Sequence, residues 1–344
     1  MTTTRIHSVH GVDDYAQRVQ AIVPSENLLG NILWFSISDA DVNYATAKKE
    51  LEARSLDTSY LRKRLRPIDA FKKACRDIDK KFPVRDDGIQ SRFMANAVGH
   101  DKETSHRHVV LERAYVATGK KRRLVYDTVA EIVFYRGELN SEGEYTGFRV
   151  DIVRKNLDLI GIDLTNQEDA WLTAMLRGLI GRFDHYRTHL DSHAVRSYVR
   201  DHLNGLHATC VKSNGGVYFV QQSHTATVAA ISDWVRSIGS EFHMMPLVDL
   251  GDQREMVRAA YEDEVVGEVE RLSQEIASVL NEGRNITEST FDAYNDRVAD
   301  LMTKHREYSF MLNDKLELAH ERIDIFKRQT LTLANRIKTP KGSS

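Results

Sequence analysis

Apolar residues recur every three or four positions through the last quarter of the chain. Val257, Tyr261, Val265, Leu272, Ile276 and Val279 fall on one helical face. Gly283 stops that helix and Thr287 caps the next. Phe291, Tyr294, Val298, Leu301, His305, Tyr308 and Leu312 then alternate steps of three and four. The step from Leu312 to Leu316 is a second four in succession, a stutter, before Ala319, Ile323, Phe326, Thr330, Leu333 and Ile337 resume the pattern. Taken as one helix of about 50 residues, this second arm is on the order of 75 Å long at a 1.5 Å rise. The helix before it covers about half of that length. The distal seam of Leu316, Ile323, Phe326, Leu333 and Ile337 is therefore expected to need another partner, in this chain or a second copy, and predicts a homo-oligomer interface.

Elsewhere the pattern changes from stripes to short apolar runs. Leu33-Trp34-Phe35-Ser36-Ile37 predicts a buried strand, followed by a helix over 42–54 capped by Ser38 or Asp39. Pro67 opens a helix over 67–81 at a position where its missing N–H costs nothing. Segments 109–116 and 124–135, rich in Val, Tyr and Ile, flank Thr118-Gly119-Lys120-Lys121 and predict a hairpin, with a third antiparallel strand over 147–154. Segment 167–206 predicts two helices divided at Asp191-Ser192. Segment 210–220 folds back on Asn214-Gly215, a strong two-residue turn signal, and a helix over 227–238 and a strand over 242–248 follow.

These elements predict an α+β fold: a small antiparallel sheet and a helix-plus-hairpin unit, followed by a long C-terminal α-helical hairpin or coiled coil. Five segments are expected: an N-terminal α/β segment with a basic helix over 1–87, an antiparallel β-sheet segment over 88–164, a helical segment with a winged-helix-like hairpin over 165–250, the amphipathic helical hairpin over 251–338, and a disordered tail over 339–344.

Charge alters this picture locally rather than globally. The 344 residues carry 48 Lys and Arg against 50 Asp and Glu, a formal charge of -2, so no overall field draws in nucleic acid or an acidic membrane. Yet Arg62, Lys63, Arg64, Arg66, Lys72, Lys73, Arg76, Lys80, Lys81 and Arg85 crowd one region against only Asp69, Asp77 and Asp79. The hairpin tip adds Lys120, Lys121, Arg122 and Arg123. Such clusters release counterions from a phosphate chain and bind DNA or RNA without sequence preference. The competing reading is a solvated face, or a basic module docking the acidic helix of Glu262, Asp263, Glu264, Glu268 and Glu270. A second layout points the same way. Arg196 and Arg200 sit four apart on a helix followed by a tight hairpin carrying Lys212, the arrangement with which a winged helix presents a recognition helix and a wing. An ordinary helix–hairpin packing unit has the same shape.

Other chemistry is sparse. Cys75 and Cys210 lie far apart, which excludes a disulfide framework and a cysteine-rich zinc site and fits a reducing compartment. No apolar run reaches the roughly 18 residues of a membrane span, and the first residues lead into no apolar signal core. A cytoplasmic protein with no membrane partner is expected. His185, His189 and His193 are spaced four apart, but no Glu follows the first and Asp191-Ser192 interrupts the helix, so no metal site is expected. His100, His106 and His108 are read likewise. Asp39 and Asp41 are read as helix caps. Walker loops, Gly-x-Gly-x-x-Gly after a strand and Gly-x-Ser-x-Gly elbows are absent, so neither a cofactor nor an enzyme is expected.

Several stretches are similar to an uncharacterised protein family of actinobacteriophages and haloarchaea. They are Leu33-Trp34-Phe35-Ser36-Ile37-Ser38-Asp39, Arg66-Pro67-Ile68-Asp69-Ala70-Phe71-Lys72-Lys73-Ala74, Gly215-Gly216-Val217-Tyr218-Phe219-Val220, and Gln253-Arg254-Glu255-Met256-Val257 on to Val265. The likeness spans most of the chain. It brings no assigned activity; it implies a phage-encoded protein at work in an infected bacterial cytoplasm. The expectation is a non-enzymatic, self-associating phage protein that contacts nucleic acid through its local basic surface. The alternative is a structural or protein-binding scaffold that uses the C-terminal helical hairpin, with a host or phage protein as partner and no nucleic acid.

Overall fold

The computed structural model describes residues 9–101, 103–115, 123–141, 145–212, 216–281 and 287–337. The tail expected over 339–344 lies outside these residues. The chain opens with helix α1 (Val9–Ile22), strands β1 (Leu28–Ser36) and β2 (Asp41–Asn43), helices α2 (Tyr44–Ala53) and α3 (Pro67–Arg76). Strands β3 (Lys80–Val84), β4 (Ile89–His100), β5 (Thr104–Tyr115), β6 (Arg123–Tyr135), β7 (Glu138–Leu139), β8 (Tyr145–Thr146) and β9 (Arg149–Arg154) follow. Helices α4 (Asn166–Arg177) and α5 (Leu179–Thr188) lead to β10 (His189–Asp191), α6 (Ser192–Gly205), β11 (Thr209–Lys212), β12 (Val217–Gln221), α7 (Thr225–Ser237) and β13 (Glu241–Val248). Three long helices end the chain: α8 (Gly251–Asn281), α9 (Glu288–Leu312) and α10 (Glu317–Ile337). The α+β expectation holds: the paired strands run antiparallel. No helix among the described residues is long and apolar enough to cross a membrane. The chain divides into two compact units, one of Met1–Ala40, Lys48–Leu61 and Ser192–Ser344, the other of Asp41–Ala47 and Arg62–Asp191.

The first unit is built on a four-stranded sheet in the order β11-β12-β1-β13. Positions 29–33 of β1 are all buried, the mark of a strand covered on both faces. Ile32 and Trp34 pack into the core shared with the C-terminal helices. Leu33, also buried, lies on the other face with Asn31, whose amide donates to Thr225 Oγ1 of α7 at 2.8 Å. Gly30 is required where β1 bulges: a Cβ there would meet Val220 O at 2.0 Å.

The C-terminal helices make a three-helix bundle, not one rod beside a shorter arm. The stutter is a break between two helices. Asn313 closes α9 in the left-handed conformation at φ 50°, the Asp314 carboxylate accepts from Leu316 N at 3.0 Å, and α10 folds back against α8 and α9. Leu316, Ile323, Phe326 and Leu333 are buried in one core with Tyr261, Val265, Leu301 and Tyr308. The seam expected to join two copies is covered within the chain; the Ile337 side chain lies outside the described residues. Among the described side chains of this stripe, none is left exposed for a second copy to cover.

The second unit is a five-stranded antiparallel sheet in the order β3-β4-β5-β6-β9. Phe93, Val109, Leu111, Ala130, Ile132 and Phe134 of the strands join Phe71 of α3, Leu172 and Leu176 of α4, and Leu179 and Phe183 of α5 in its core. Phe71 stacks on Phe134 with ring centroids 5.0 Å apart. A capping box between Thr165 and Glu168 starts α4. The helix expected over 67–81 stops at Arg76, and Lys80–Val84 instead forms edge strand β3 against β4.

Candidate nucleic-acid interface

Helix α3 docks through Pro67, Ala70, Phe71, Ala74 and Cys75, all buried. Helical periodicity then turns Asp69, Lys72, Lys73 and Arg76 outward. The acids that could neutralise this face are committed. Asp69 accepts from Arg66 Nε at 2.6 Å. Asp79 is gripped by Arg92 through two bonds of 2.8 and 2.6 Å, which hold its carboxyl below the usual range. Asp77 accepts from Tyr186 OH at 2.7 Å, and burial followed by that carboxylate pushes the Tyr186 phenol up to about 12. Two cations are also engaged: Lys73 bonds Asp191 at 2.9 Å and lies 4.5 Å from the Tyr186 ring centre, and Arg64 lies 5.0 Å from that of Tyr44. Arg62, Lys63, Lys72 and Arg76, with Lys80 and Lys81 of β3, remain exposed and make no ion pair among the described residues. Six cations of this run thus face solvent beside acids that are already held by other side chains.

Lys120, Lys121 and Arg122 lie outside the described residues; Arg123 opens β6, exposed, opposite Tyr115. Arg196, Arg200 and Lys212 belong to the first unit. Arg196, half-buried, donates to Ile37 O at 2.6 Å through one of its five N–H groups. Arg200 and Lys212 are exposed. Helix α6 turns Ala194, Val195, Tyr198, Val199, His202 and Leu203 inward, and the hairpin after it is two strands of the four-stranded sheet.

Residues 28–339 match a family of unknown function, DUF6744. The chain belongs to that family. No curated protein and no solved structure matches it.

The family member also carries a buried polar network that its sequence does not advertise. Helix α8 is less acidic than it reads, because α9 answers it: Lys304 Nζ bonds Glu264 at 2.8 Å and Arg297 Nε bonds Glu268 at 2.6 Å. Beside them His207, left-handed at φ 52°, is clamped from both sides. Its Nε2 lies 3.1 Å from Asp300 and its Nδ1 2.7 Å from Glu307. With a carboxylate at each nitrogen, both nitrogens donate and the ring is an imidazolium. The Asp300 bond first, and then Glu307, raise the His207 pKa against the opposing pull of burial; Asp300 is lowered by the same bond. A raised histidine stabilises the fold fully below its unfolded pKa, and loses that contribution as pH climbs through the folded value. The urea midpoint of the wild type should thus fall as pH rises from about 6 to about 9, while His207→Gln, lower at the acid end, should stay flat. Parallel pH profiles for the two would remove the clamp as a stabilising element.

A second cluster, Asp41, His185 and His189 in the second unit, has the donors to hold a metal ion.

Proposed function

We propose that this chain is a non-enzymatic, phage-encoded protein of the infected bacterial cytoplasm that contacts nucleic acid through the outward face of α3 and the start of β3. One observation carries the reading: six exposed cations, without ion pairs among the described residues, gather where the neighbouring acids are already spoken for. Nucleic acid fits such a surface because a phosphate chain supplies many weak anionic contacts and gains entropy by releasing counterions. The rigid scaffold beneath supports it as well, since α3 is held by a buried face and does not need to fold on binding.

The test is the salt dependence of binding to duplex DNA and to single-stranded RNA, measured by fluorescence anisotropy. Replacing Lys72, Arg76, Lys80 and Lys81 with Ser should weaken binding and reduce the log–log slope by up to about 0.9 for each duplex phosphate that is no longer neutralised. All four side chains are exposed, so the fold should survive. An unchanged slope, or no binding by the wild type, overturns the reading. Phe310, 90% exposed, and Leu318, Ile325 and Leu331 on the outside of the bundle would then become the working surface of a protein-binding scaffold.

A further inference from the structure

Strands β2 and β10 pair antiparallel, with His189 opposite Asn43, Leu190 opposite Val42 and Asp191 opposite Asp41. Side chains alternate across a strand, so Asp41, Asn43, His189 and Asp191 share one face, and Leu190 is buried on the other. His185 stands one helical turn before His189, at the end of α5. The two imidazoles stack with centroids 4.3 Å apart and planes 15° apart. His185 Nε2 lies 3.1 Å from Asp41 Oδ1. One donor atom from each of Asp41, His185 and His189 falls within 4.8 Å of the other two. We infer that these three residues bind a divalent transition-metal ion of the zinc, cobalt or iron kind, with its remaining coordination positions open to water.

The donor chemistry selects the metal class. Two imidazoles and one carboxylate suit borderline first-row ions, whereas calcium and magnesium take oxygen almost alone. The spacing is close to what coordination needs. Ligand atoms about 2.1 Å from a metal stand about 3.0–3.4 Å apart. The Asp41–His185 pair is already there, and His189 must close the rest by turning its ring.

The tautomer of His189 is also set for ligation. Its Nδ1 lies 2.9 Å from Thr188 Oγ1. That hydroxyl gives its one proton to Asp184 O at 2.7 Å, so toward the ring it acts as an acceptor. The proton of neutral His189 therefore sits on Nδ1, and the lone pair is on Nε2. A hydrogen bond that fixes the far nitrogen in this way is the usual outer support of a metal-bound histidine. The fourth polar group on the ladder, Asp191, is held by Lys73 at 2.9 Å, which leaves Asp41 as the carboxylate ligand.

The experiment uses the full chain, stripped with a chelator. Co2+ is titrated by visible absorption, and Zn2+ and Mg2+ by calorimetry. One equivalent of Co2+ and of Zn2+ should bind, and Mg2+ should not compete. His189→Ala and Asp41→Asn should each weaken Co2+ and Zn2+ binding by about tenfold or more. Asp41 is exposed, so Asp41→Asn keeps the test valid if His189→Ala disturbs the local fold. His106→Ala, a change on β5 outside the cluster, should bind like the wild type. Absence of saturable Co2+ or Zn2+ binding in the wild type overturns the inference, and so does undiminished binding by Asp41→Asn.

Discussion

Phe326→Ala should lower the unfolding free energy by about 3–5 kcal/mol, as large-to-small changes in well-packed cores do. Phe326 is fully buried. Its ring meets Tyr294 of α9 edge-on at 6.4 Å, and it belongs to the core that α10 shares with α8 and α9. Truncation removes the transfer energy of a benzyl group and leaves a cavity that three helices close only in part. The measurement is urea unfolding, paired with light scattering on the wild type and the variant at micromolar concentration. The expected result is a large drop in midpoint with the wild type at the mass of one chain. If Phe326→Ala kept the wild-type midpoint and instead lowered the mass from that of a dimer, the seam would be an interface after all.

That contrast shows which parts of the fold a sequence exposes. The apolar period of 257–337 marks the right helices and the right buried positions, because a three-to-four repeat is a local property of the chain. The reversal at Asn313 is not legible. No Gly or Pro marks it, and an asparagine in the left-handed region leaves the apolar spacing looking like a stutter. Burial within the bundle and burial between copies also write the same pattern. Strand β4 escapes a sequence reading because its inward positions include Ser91 and Ala95, too small or polar to spell out an alternation.

The sites follow the same logic. The basic run of 62–85 is local and legible directly. That Asp69, Asp77 and Asp79 are taken, and that Arg196 bonds Ile37 O, needs the fold. The four-residue spacing of His185 and His189 is visible in the chain, but the third member of that series, His193, lies in α6 and is not part of the cluster. Its place goes to Asp41, which the sequence presents as a cap. Only the pairing of two three-residue strands brings Asp41 there, and strands so short have no periodicity to read.

Lys304→Met should be the second severe change, for an electrostatic reason rather than a cavity. Lys304 is 7% exposed and holds three elements together. From α9, its ammonium donates to Glu264 of α8 at 2.8 Å and to Ala208 O, just before β11, at 2.9 Å. The carboxylate of Glu264 in turn accepts from Cys210 N of β11 at 2.9 Å. Methionine fills much the same volume but leaves a half-buried carboxylate and a carbonyl without their cation. Breaking one partner of a buried pair costs about 3–5 kcal/mol. Glu264 retains some contact with water, so the loss should lie toward the lower end of that range. Adding Glu264→Gln should recover part of it. The amide oxygen still accepts from Cys210 N, and no unpaired charge remains. The double-mutant cycle from urea unfolding should therefore give a coupling of about 1–3 kcal/mol, with the double variant more stable than Lys304→Met alone. Strictly additive losses would mean that the two side chains act independently and that apolar packing alone ties α8 and α9 to the sheet.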